Sequence, residues 1–401
     1  MRISTSQMYM NSTAAISAKQ SDLARLQSQL SSGKRIASLA DDPAGAASAS
    51  VLHSDLSANS QFEANRQVAK EQLSSAESTL GVISENLQSA RELLVSAGSG
   101  SLSDADRTTI AGQLREHLAT LLGLANSSDG QGGYLFGGFR RNSPPFVAAG
   151  GTVNYVGDDG ARTINVSPTR ALAASFSGAD IFTRIPSGNG VFVTDTVPAN
   201  SGTGLIDGGR VTNPAALDGN SYEIRFHGSG SGTTYDVWNT TTNAALSTGT
   251  AFTTPAVVAL PGIEVGITGA PADGDKFVVA PSANQDIFTT LQKAVDALST
   301  PARGNTTKVG NSLRLALGNL DQGLEKVTDQ RSAAGARLNE IDQLATLASQ
   351  RDVDLKSTLS SLEDTDYVKT ISEFTVTQTG LQAALDSYSR IAKTTLFDYI
   401  K

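Results

Sequence analysis

The chain has 401 residues, a formal net charge of −8 and a pI of about 5.0, an acidity that argues against a nucleic-acid or anionic-membrane partner. No Lys/Arg cluster able to follow a phosphate backbone interrupts it. The absence of cysteine removes disulfides, thiolate metal sites and cysteine nucleophiles together, and aromatics at 5% speak against large bulky cores.

Met1 to Ser17 carries neither the apolar run nor the small-residue cleavage site of a Sec-type signal peptide, and no stretch is apolar for long enough to span a bilayer. Ile16, Leu23, Leu26 and Leu30 predict a first amphipathic helix that closes at Gly33, where glycine supplies a C-cap. Asp42 as N-cap and Pro43 at the first helical position open a second, longer helix running to about Ala97. Ser103 and Asp106 have the spacing of a capping box and open a third, with Ile110, Leu114, Leu118 and Leu121 on one face, fading at Asn126.

The period changes from about residue 134. Tyr222, Ile224 and Phe226 alternate with Glu223 and Arg225 as in a half-buried strand. Similar runs start at Tyr235, Ile263 and Lys276, and Gly/Ser/Asp-rich turns separate them. Residues 142–283 are therefore expected to form a β-rich insertion whose ends lie close together. Helix resumes after Asp286 with Ile287, Leu291, Val295 and Leu298, and Pro301 to Gly304 breaks it. A last helix follows Asp366, with Ile371, Phe374, Leu381, Leu385 and Tyr388 on one stripe.

Between the break and that last helix lies a long seam. Positions alternately four and three apart from Leu313 read Leu317, Leu320, Leu324, Val327, Arg331, Ala334, Leu338, Ile341, Ala345, Ala348, Asp352, Leu355, Leu359 and Leu362, apolar at all but Arg331 and Asp352. Ala69, Leu73, Ala76, Leu80, Ile83, Leu87, Ala90, Leu94 and Ala97 form a matching seam near the other end. A long apolar stripe in water must find another stripe, since each fully buried Leu is worth roughly 1.5–3 kcal/mol. Arg331 and Asp352 either pair with polar groups across the interface and fix register, or weaken the monomer and favour neighbouring subunits.

The fold class expected is α+β: an elongated helical rod, a coiled-coil bundle drawn from both termini, with a β-rich central insertion. Residues 41–141 and 284–364 would form the rod, and 142–283 the outer domain. Residues 1–40 and 365–401 would be terminal assembly helices, disordered in the monomer. Ile16, Leu23, Leu26 and Leu30 have no cover except the stripe of Ile371, Phe374, Leu381, Leu385 and Tyr388, so these nine residues form the expected assembly interface.

Catalytic, cofactor and metal sites are not expected. His53, His117 and His227 are scattered and read as surface or packed side chains. The Gly228–Thr233 run lacks the Lys-Ser/Thr of a P-loop, and Asp273-Gly274-Asp275 lacks the downstream glutamate of a calcium loop. An adhesin or glycan-binding module would call for a grooved aromatic cluster, but Trp238 is the single tryptophan.

Leu30-Ser31-Ser32-Gly33-Lys34-Arg35-Ile36, followed by Asp41-Asp42-Pro43-Ala44-Gly45, resembles the N-terminal signature of the flagellin superfamily of bacterial flagellar axial proteins. Ser361-Leu362-Glu363-Asp364-Thr365-Asp366-Tyr367 is similar to its C-terminal signature, with Leu362 in place of the usual isoleucine. The resemblance covers about residues 1–140 and 284–401. Met1 to Thr5, the Gly133–Phe139 segment with Ser143 to Phe146, and Tyr222 to Pro281 resemble hook-associated members more than filament flagellins. The tail from Thr394 to Lys401 lacks the ending of many filament flagellins.

The resemblance implies a non-enzymatic structural subunit, exported by the flagellar type III route and secreted to the extracellular flagellum at the hook–filament junction. Its partners would be further copies of itself in a closed ring of about eleven, the other hook-associated junction protein, filament flagellin, and an export chaperone on the C-terminal helix. The alternative within the family is the filament flagellin itself.

Overall fold

The computed structural model describes residues 5–100, 102–130, 132–301 and 306–393. The Met1–Ser4 start, residues 302–304 of the predicted break and the Thr394–Lys401 tail lie outside them. Six α-helices are described: α1 (Thr5–Ser32), α2 (Pro43–Ala97), α3 (Asp104–Ala125), α4 (Ile287–Ser299), α5 (Thr306–Glu363) and α6 (Tyr367–Lys393). Local signals set their starts. Ser103 and Asp106 form the reciprocal capping box of α3, and Asp286 accepts the Thr289 N–H at 2.6 Å to cap α4.

Two compact units make up the chain, Met1–Ala64 with Gln343–Lys401, and Asn65–Asp342, so α2 and α5 contribute to both. The division falls inside these helices rather than at the expected 40/41 and 364/365.

In the larger unit α2 and α5 run antiparallel, joined by Lys70–Asp342 at 2.7 Å, Glu77–Arg331 at 2.6 Å and Arg91–Asp321 at 2.6 Å. All nine α2 seam residues, Ala69 to Ala97, are at most 2% exposed. On the stretch of α5 in this unit every second seam position is buried: Leu313, Leu320, Val327, Ala334 and Ile341. Arg331 reaches across to Glu77, which is the register reading of that residue. Asp352, in the smaller unit, instead pairs with Lys356 on its own helix at 2.7 Å. Helix α4 buries Ile287, Leu291, Val295 and Leu298, as its period requires, and packs along α3.

The β region opens with two hairpins, β1 (Phe146–Ala149) with β2 (Thr152–Tyr155) and β3 (Thr163–Ser167) with β4 (Arg170–Ala173). These belong with the helices. Asn65 and Arg66 of α2 donate to the Asn165 and Val166 carbonyls, Arg170 pairs with Glu340, and Arg337 donates to the Ala173 carbonyl. Phe146 and Phe182 pack on Phe288 of α4.

The chain then leaves through β5 (Ile185–Pro186), which pairs with β15 (Asn284–Gln285). Between them lie β6 (Phe192–Thr196), β7 (Leu205–Ile206), β8 (Arg210–Val211), β9 (Tyr222–His227), β10 (Thr234–Asn239), β11 (Ala244–Ala251), β12 (Ala256–Leu260), β13 (Ile263–Thr268) and β14 (Lys276–Pro281). They form an antiparallel five-stranded sheet, β11-β10-β9-β14-β6, and a four-stranded sheet, β12-β13-β7 with β8 also on β13. Tyr222, Ile224 and Phe226 of the first sheet share one core with Val258, Val265 and Ile267 of the second. Entry and exit are adjacent, Ser187 N–H donating to the Ala283 carbonyl at 3.0 Å.

Candidate assembly surface

Helices α1 and α6 pack on each other in the smaller unit and run antiparallel. Tyr9 and Tyr388 meet edge to face at 6.0 Å at one end of the pair, and Gly33 abuts Tyr367 at the other. On α1, Leu26 is 2% exposed and Ile16, Leu23 and Leu30, seven apart, are partly buried. On α6, Phe374, Leu381 and Tyr388, also seven apart, are partly buried beside the buried Thr370 and Thr377.

The expected α6 stripe therefore divides. Ile371 and Leu385 lie on a flank, 52% and 39% exposed, with Val368 and Val376 more open still. A two-helix contact has a single seam, and a residue three positions before a seam residue is rotated about 60° from it, onto the flank. That flank is an apolar surface which nothing in the described residues covers.

The two signature segments meet at the α1/α6 turn. The Gly33 carbonyl accepts the Thr365 N–H at 2.9 Å, and the Arg35 N–H donates to the Glu363 carbonyl at 2.5 Å. The Arg35 guanidinium donates to the Leu362 carbonyl at 2.7 Å and lies 3.4 Å from Asp42. Asp42 in turn accepts the Gly45 N–H, Asp41 accepts the Ala37 and Ser38 N–H groups, and Ile36 is buried beneath. Across the turn, Ser360 donates to Asp364, and Asp366 caps α6 by accepting the Lys369 N–H at 3.1 Å. Gly33 has φ of +71°, a left-handed conformation, and a Cβ there would meet the Tyr367 hydroxyl at 2.8 Å.

Glu363 is the centre of this clasp, its side chain only 11% exposed. Lys34 Nζ lies 2.6 Å from one oxygen and His53 Nε2 3.0 Å from the other. The Lys34 hydrogen bond, reinforced by His53, holds the Glu363 carboxyl below its usual 4.5. A carboxyl whose folded pKa is lowered stabilises the folded form above the unfolded value and loses that contribution as pH falls through the folded one. The clasp should thus weaken below about pH 4.5. We expect Glu363→Gln to melt a few degrees lower than the wild type at pH 7 and to show a smaller drop between pH 7 and pH 4. Equal pH dependence in the two proteins, by circular dichroism, would contradict this role.

His53 and Lys34 were not among the residues the sequence singled out for a role. Lys34 lies inside the signature, but nothing local points from His53 to a glutamate 310 positions away. Among the described residues no group of acidic, histidine or cysteine side chains has the arrangement of a metal site. No helix among them is long and apolar enough to cross a membrane.

Residues 3–140 match the bacterial flagellin N-terminal helical region and residues 317–400 the flagellin C-terminal helical region. The flagellar hook-associated protein 3 of Salmonella typhimurium is 38% identical over 187 residues, covering 47% of this chain and 58% of that protein. The match thus spans 58% of the length of this relative and of the hook-associated protein 3 of Escherichia coli. The crystal structure of Xanthomonas campestris FlgL aligns over 77% of this chain and 99% of its own, at 32% identity and a TM-score of 0.71. That of the flagellar junction protein FlgL from Legionella pneumophila aligns over 79% and 100%, at 27% identity and a TM-score of 0.70.

Proposed function

Because the chain belongs to the flagellin family, we propose that it is a structural, non-enzymatic subunit of the bacterial flagellum that joins hook to filament. Hook-associated and junction proteins are its near relatives, and filament flagellins are distant ones. It associates with other flagellar components: further copies of itself in a ring, the second hook-associated protein below, and flagellin above. A chaperone would hold the C-terminal helix before export.

One observation carries this reading. Among the described residues of the smaller unit, the buried apolar side chains are Leu26, Ile36 and Ala49. Met10, Val51, Leu347, Val353, Val368, Ile371, Val376 and Leu385 are exposed. Three buried side chains do not offset the entropy of ordering two helices, since fixing one residue's backbone costs roughly 1–2 kcal/mol. Such a unit is made to be covered by other chains. Beyond the Glu363 clasp, the terminal helices accordingly order stably on assembly, and until then stay loose enough for export.

Cells lacking the chain should build hooks, secrete flagellin into the medium and carry no filaments, and a plasmid copy should restore them. Filaments of normal number in its absence would overturn the proposal.

A further inference from the structure

In the larger unit, Arg141, Arg162 and Asp129 line a cleft of about 20 Å³ where Gln72 of α2 faces the base of the β3–β4 hairpin. Arg162, just before β3, is held by its backbone. Its N–H donates to Ser175 Oγ at 2.7 Å, and its carbonyl accepts the Ala174 N–H at 2.9 Å. The side chain is partly buried, and its Nε, closed off from solvent, meets no hydrogen-bond acceptor among the described residues.

The carboxylate in the cleft is already engaged. Asp129, its side chain 6% exposed, accepts the Gly133 N–H at 2.8 Å with one oxygen and meets Arg141 at 2.6 Å with the other. Arg141 is fixed in turn. Its carbonyl accepts the Tyr134 N–H at 2.9 Å, and its guanidinium lies over Gly133, where a Cβ would come within 2.3 Å of Nε.

Two guanidiniums against one carboxylate leave a positive charge over. Burial, with Arg141 beside it, lowers the basicity of Arg162, and Asp129 only partly opposes this. A lysine so placed would shed its proton, but an arginine keeps its charge. Water can accept the Nε–H yet leaves that charge unpaired, which is costly away from bulk solvent. An anion supplies both the acceptor and the charge. About 10–15 Å³ already holds one water-sized sphere, so the cleft has room for a single atom and not for a carboxylate or phosphate group.

We propose that this cleft binds one monatomic anion, chloride in ordinary media, between Arg162 Nε and the Arg141 guanidinium. The ion ties the base of the β3–β4 hairpin to the segment that follows α3.

Crystals of the full chain soaked in sodium bromide should show an anomalous peak within hydrogen-bonding reach of Arg162 Nε. The wild-type chain should melt a few degrees higher in sodium chloride than in sodium gluconate of equal ionic strength, an effect that saturates with chloride. Arg162→Glu sets a carboxylate where the ion would sit, and should melt alike in the two salts. A peak at the cleft without a melting difference in the wild type means an adventitious ion only, and overturns the site. Water density with no anomalous signal overturns it too, as does a chloride effect that survives in Arg162→Glu. Each of these results leaves the reading of the chain as a flagellar subunit standing.

Discussion

Leu385→Asp should leave the monomer folded and abolish assembly. Leu385 is 39% exposed on the α6 flank, away from the seam that Phe374, Leu381 and Tyr388 make with α1. In the isolated chain a carboxylate there stays in water, and the cost is within about 0.5 kcal/mol, as for most surface changes. Once a neighbouring copy covers the flank, the same carboxylate is buried without a partner at a cost of several kcal/mol. That exceeds a hundredfold in affinity, since about 1.4 kcal/mol is tenfold. Melting of the purified variant should match wild type, its hydrogen exchange in α1 and α6 should be as fast as in the wild-type monomer, and cells should shed flagellin. Wild-type filament number with Leu385→Asp would show that the flank faces solvent in the flagellum.

Excising residues 188–282 should leave export and assembly intact. Ser187 and Ala283 are already hydrogen-bonded at 3.0 Å, so a short Gly/Ser linker closes the gap without moving β5 or β15. The sandwich keeps its own core, and what it shares with α5 includes hydrogen bonds of Asn319 with Gly188 and of Asn311 with Gly204 and Ile206. Their loss should lower the melting temperature by a few degrees and leave the buried α2 seam undisturbed. A cut at 142–283, where the composition changes, should do far worse. It would remove Phe146 and Phe182 from Phe288 and the β3–β4 hairpin from α2 and α5. Secretion and motility of the two deletions, side by side, decide the matter.

That contrast also marks where the sequence was readable. The capping box at Ser103 and Asp106, Pro43 at the start of α2 and Asp286 before α4 are local signals, and the helices begin where they stand. Strands β9, β10, β13 and β14 alternate buried and partly buried residues and are legible for that reason. Strand β11 is exposed at nearly every position, so it carries no period to read. The attachment of β3–β4 to the helices rests on hydrogen bonds between segments 100 residues apart. Nor does the spacing of apolar residues on α6 say which of two adjacent stripes finds α1; only the partner helix decides between Phe374 and Ile371. At the clasp, both signatures were visible, but their meeting at Glu363 was not.

The most direct measurement is the position of the chain on the organelle. Immunogold labelling of isolated flagella, with an antibody to the 188–282 sandwich, should give one compact band at the distal end of the hook. Label along the whole filament would make the chain a filament flagellin and contradict the account.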